Sequence, residues 1–106
     1  MIARRKEATA LENRKPDENI EYLIRGILTL QTPSECLRFF EDLCTPSELT
    51  EMSRRLKAAR MLADNAIYSE ISAQTGLSTA TISRVNKCLS YGSGGYEMAI
   101  SKLEEK

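Results

Sequence analysis

The sequence contains no histidine and no tryptophan, and aromatic residues make up only 6% of its 106 positions. Without histidine the commonest general base is missing, along with any Ser-His or Cys-His nucleophile pair. No enzyme is expected. Cysteine is scarce and odd in number (Cys36, Cys44 and Cys88), with no CxxC and no histidine to complete a zinc site. Free, reduced thiols filling helical core positions are the expectation. The five glycines make no phosphate-cradling loop, because those at 92, 94 and 95 follow a helical pattern and no strand precedes them. No apolar run reaches the ~18 residues of a membrane span, and no signal-peptide core follows the N-terminus. A cytoplasmic protein without membrane attachment is expected.

What is present is 42% hydrophobic and 28% charged residue, enough for one globular domain. The net charge is zero, but its distribution is uneven. Asp17 to Met52 holds eight acids and two bases, a net of −6. Ser53 to Tyr96 holds six bases and two acids, a net of +4. A polyanion therefore has one place to bind despite the neutral total.

The chain is organised around YSEISAQTGLSTATISRVNKCL, from Tyr68 to Leu89. Ile71 and Thr75 lie one turn apart on a first helix. Gly76 suits a left-handed turn, Leu77 returns to the core, and Ser78 is a good N-cap for a second helix. Ile82, Val85 and Leu89 then give that helix a buried stripe. With Ser72 as the small residue at the crossing, the pair forms a helix-turn-helix over about 67–90. Its outer face carries Thr79, Ala80, Thr81, Ser83, Arg84 and Lys87: short hydroxyls, a methyl and two cations. Such a helix can approach base edges in a major groove while its cations meet phosphates. The residues expected to touch DNA are Tyr68, Ser69, Ser78, Thr79, Ala80, Thr81, Ser83 and Lys87. Tyr68, Ser69 and Lys87 serve phosphates, and Thr79, Ala80, Thr81 and Ser83 serve bases.

Ahead of this unit, residues 1–16 carry Arg4, Arg5, Lys6, Arg14 and Lys15 without an apolar stripe, as a loose basic arm would. Ile20, Leu23, Ile24, Ile27 and Leu28 mark an amphipathic helix over about 18–30. TPSE occurs twice, at 32–35 and 45–48, and each copy is a capping box with proline at the first helical position. The boxes open helices over about 33–43 and 46–64. The second has Leu49, Met52, Leu56, Ala59 and Ala63 facing in, and Arg54, Arg55, Lys57 and Arg60 facing out. A last helix covers about 96–104. The fold is all-α with about six helices, in a domain over 17–106. The N-terminal apolar faces are too wide for one helix-turn-helix to cover, so a homodimer sharing them is expected.

CTPSE at 44–48, SRRLKAARML at 53–62 and TGLSTATISRVNKCL at 75–89 together resemble the Trp repressor family. The run SRVNKCLSYGSGGY is closest to its YerC/YecD-type branch of Trp-repressor-like proteins. The resemblance covers about 18–106. It implies a six-helix intertwined dimer and a cytoplasmic, repressor-type regulator that reads a palindromic operator in double-stranded DNA. It also implies an effector pocket at Thr45, Arg55, Arg84, Val85 and Cys88. Arg55 and Arg84 match the family's indole-sandwiching arginines, and Thr45 matches a backbone contact. Cys88 replaces a serine and Val85 a glycine, a departure that argues against L-tryptophan. A different small effector, or none, is the expectation. Arg84 is claimed by both DNA and the pocket. The rival readings are a protein–protein adaptor with reduced DNA binding and an amino-acid-sensing dimer.

Overall fold

In a computed structural model, residues 17–105 are described. The basic arm expected over residues 1–16 lies outside them. Six helices and no strand occur among the described residues: α1 Glu18–Leu28, α2 Pro33–Leu43, α3 Pro46–Ala63, α4 Tyr68–Thr75, α5 Thr79–Tyr91 and α6 Gly95–Leu103. The expected boundaries agree to within two residues. None of these helices is long and apolar enough to cross a membrane.

The chain divides into two compact units at Asp42/Leu43. In the first, Asp17 caps α1 by accepting the Asn19 N–H at 2.6 Å. Gly26 of α1 lies under the Phe39 ring of α2, where a Cβ would stand 3.7 Å from the ring tip. Phe39 meets Phe40 edge to face, with centroids 5.4 Å apart. Neither helix has a buried residue. Leu23, Ile24 and Ile27 remain 36–38% exposed, so more than a third of each is left open by the described residues.

The second unit holds the core: Ala58, Ala59, Ile71, Leu77, Ile82 and Val85. Helix α3 packs against α4, α5 and α6, and α5 packs against both α4 and α6. Its start is a complete capping box. Thr45 Oγ1 accepts the Glu48 N–H at 3.1 Å, and Glu48 accepts the Thr45 N–H at 2.8 Å. The first TPSE differs. Thr32 Oγ1 accepts the Glu35 N–H at 3.1 Å, but the Glu35 carboxylate takes the N–H of Gln31, one residue earlier. At its other end α3 closes on Asn65 with φ +66°. Ala66 N–H bonds Met61 O at 3.0 Å and Asn65 N–H bonds Leu62 O at 2.9 Å, the paired bonds of a Schellman stop.

Two expectations need correction. Helix α3 turns Ala59 inward as expected, but with Ala58 beside it, while Met52, Leu56 and Ala63 are exposed. Alanine lets crossing helices approach closely, so the smallest residues occupy the tightest contact. The cysteines do not fill the core either: Cys36 and Cys88 are exposed and Cys44 is half-buried, all as free thiols.

Candidate nucleic-acid interface

The second unit positions α5 through the three residues that join it to α4. Gly76 takes φ +77°, a left-handed value that a side chain would strain, and its N–H bonds Ser72 O at 2.9 Å. Leu77 is then held from both sides. Ser72 Oγ donates to Leu77 O at 2.9 Å, and Leu77 N–H donates to Thr75 Oγ1 at 3.2 Å. Thr75 Oγ1 in turn donates to Ile71 O at 2.8 Å. Two hydroxyls of α4 thus satisfy the backbone of a buried connecting residue, which would otherwise go unpaired at a cost of about 1–3 kcal/mol each.

Ser78 begins α5, with its Oγ accepting the Thr81 N–H and donating to Thr81 Oγ1, each at 3.2 Å. Ile82 and Val85 are 0% and 2% exposed and pin the inner side of α5 against Ala58, Ala59 and Ile71. Asn86 Nδ2 donates to Tyr68 Oη at 3.3 Å, tying α5 to the first residue of α4.

This packing decides which expected residues face outward. Ser69, Ser78, Thr79, Ala80, Ser83, Arg84 and Lys87 are exposed. Ser78, Thr79, Ala80 and Ser83 gather on the N-terminal turns of α5, with Lys87 one turn beyond. Tyr68 is half-buried, with its hydroxyl engaged by Asn86. Thr81 is half-buried and stands at the border between the outer face and a cavity of about 260 Å³.

That cavity lies between α3, α5 and α6, and is lined by Glu51, Arg55, Thr81, Arg84, Val85, Cys88 and Tyr96. It brings together four of the five expected effector residues; Thr45 is not among them. Arg84 is exposed and also lines the cavity, so both claims on it keep a structural basis. Arg55 is half-buried and paired with Glu51 at 3.6 Å. Glu51 and Tyr96 were not anticipated here. The i,i+4 spacing of Glu51 and Arg55 was visible in the sequence, whereas Tyr96 arrives through the α5–α6 turn, which no periodicity describes.

Comparison with known proteins gives consistent results. Residues 18–104 match the family described as Trp repressor protein. The YerC protein of Bacillus subtilis (strain 168) is 47% identical over 88 residues, covering 83% of this chain and 85% of the relative. The crystal structure of a TrpR-like protein from Eubacterium eligens ATCC 27750 superposes with a TM-score of 0.82 at 41% identity, over 88% of this chain and 96% of that one. A Staphylococcus aureus structure superposes with a TM-score of 0.81 at 34% identity, over 96% and 98%.

Proposed function

The chain belongs to the Trp repressor family, and from that premise we propose that it is a dimeric, sequence-specific DNA-binding regulator of the repressor type. Helix α5 enters the major groove, and the α5 helices of the two protomers read half-sites about one DNA turn apart. Thr79, Ala80 and Ser83 face base edges, and the Thr79 and Ala80 methyls suit thymine. Thr81 contributes from the cavity border. Ser69 and Lys87 meet phosphates, with Tyr68 bracing the start of α4.

The observation that carries this reading is the outer face of α5. Its small hydroxyl and methyl groups are exposed, while Ile82 and Val85 anchor the opposite side in the core. Dimerisation is supported by the first unit, where the stripe of Ile20, Leu23, Ile24 and Ile27 is only partly covered by the described residues. Apolar stripes of this length are normally covered by another subunit.

Selection of bound sites from random duplexes, with and without an amino-acid mixture, tests the proposal. A two-fold symmetric sequence should be enriched, with affinity falling steeply as salt rises. No enrichment, together with salt-insensitive binding, would favour the adaptor reading.

Effector sensing is supported by the cavity under α5, where two arginines lie beside a polar wall. Two features disfavour L-tryptophan. Val85 fills the floor as part of the core, and Glu51 already offsets the charge of Arg55. A different small effector, or none, fits better. Calorimetry with tryptophan and related indoles decides, since heat of binding at sub-millimolar affinity would overturn this view.

A further inference from the structure

Arg54 and Arg55 are adjacent on α3, and a helix separates neighbouring side chains by about 100°. Their surroundings differ accordingly. Arg55 is half-buried, lines the cavity and pairs with Glu51. Arg54 is exposed and makes no ion pair among the described residues. Its guanidinium Nη1 lies 3.9 Å from the point where a Cβ on residue 76 would stand. The arginine therefore rests against the glycine turn, two residues before the Ser78 cap of the reading helix.

We propose that Arg54 is a DNA-phosphate contact supplied from outside the helix-turn-helix. The proposal rests on the reading of α5 given above. When the N-terminus of α5 enters a groove, the flanking sugar–phosphate strand passes beside the turn that precedes it. A planar guanidinium with five N–H donors matches a phosphate in two parallel bonds, and among the described residues no acid pairs with it. Phosphate contacts fix orientation rather than sequence, so Arg54 sets how α5 is seated without choosing bases. The same side chain on an ordinary solvated face would pack on the turn and leave DNA affinity unchanged.

The test is a fluorescence-anisotropy titration of the full chain with a random-sequence duplex, from about 50 to 200 mM salt. Wild type is compared with Arg54→Gln and Arg54→Lys. Each phosphate contact removed should lower the slope of log affinity against log salt by ~0.9, a loss of about three-fold in the affinity ratio across that range. Arg54→Gln should show this loss for each protomer bound, and Arg54→Lys should retain the wild-type slope. If Arg54→Gln keeps the slope while wild type binds in a salt-dependent way, this proposal alone fails. A lower affinity at unchanged slope refutes it equally, because that pattern marks a packing role. If wild type shows no salt-dependent binding, the DNA-reading function fails and Arg54 with it.

Discussion

Ser78 lies where folding and DNA recognition make opposite demands, so one position separates them. Its Oγ accepts the Thr81 N–H at 3.2 Å and is exposed at the tip of α5. Ser78→Ala removes that acceptor and should cost about 1 kcal/mol of stability. In a chain of this size that lowers Tm by roughly 4–8 °C. Ser78→Asp keeps an acceptor at the cap. It also supplies the negative charge that the first turn of α5 lacks. Interaction with the helix dipole should then add about 0.3–1 kcal/mol, leaving the fold as stable as wild type or more so. The same carboxylate would face DNA. At about 7 Å from a phosphate in water, each repulsion is roughly 0.6 kcal/mol. Two such phosphates per protomer give about 2.4 kcal/mol for a dimer, near a fifty-fold loss of affinity. Thermal melting and gel-shift titration at low salt measure the two effects on the same preparations. A Ser78→Asp protein that is stabilised and still binds duplex DNA as wild type does would show that the tip of α5 never approaches phosphate. Equal destabilisation by Ala and Asp would show that the cap bond is unimportant.

Two further outcomes follow from the geometry. Gly76→Ala should destabilise by about 1 kcal/mol, because the left-handed turn costs roughly 1–2 kcal/mol with a side chain and the stiffer unfolded chain returns about 0.4–1. Its new Cβ would meet Arg54 at an ordinary 3.9 Å, so urea unfolding that shows a loss above about 3 kcal/mol would point to a clash the structure does not contain. Ile24→Asp places a carboxylate in the open stripe of α1; if a second chain covers that stripe, each copy loses on the order of 2 kcal/mol and the dimer Kd rises about a thousand-fold. Sedimentation checks this, and a wild-type protein that is monomeric at micromolar concentration would contradict the shared-face argument.

The helix-turn-helix was legible because its signals are local. A glycine, a capping serine and apolar positions three and four apart specify it within about two dozen residues. The second TPSE was legible for the same reason. The first was read correctly as a helix start but not in its bonding, since the Glu35 carboxylate can reach either of two neighbouring N–H groups and takes that of Gln31. The inward face of α3 was misread because apolar side chains lie on more than one side of it. Hydrophobicity favours Met52 and Leu56, yet the crossing with α4 and α5 keeps the expected Ala59 and adds Ala58, both for their small size. The Tyr68–Asn86 bond and the place of Tyr96 on the cavity wall depend on how helices cross, and no spacing rule encodes that.

Among the described residues, the six buried apolar ones all lie between Ala58 and Val85. Contacts so close in sequence have low contact order and form quickly. The head that carries α5 thus has what it needs to take shape in cis, by closures within a single chain. The leading helices have no interior of their own and must wait for an encounter, whose frequency rises with protein concentration. Under the dimeric reading, a newly made chain is a finished head with unfinished arms. The abundance of the protein is then itself an input to how much operator it can occupy.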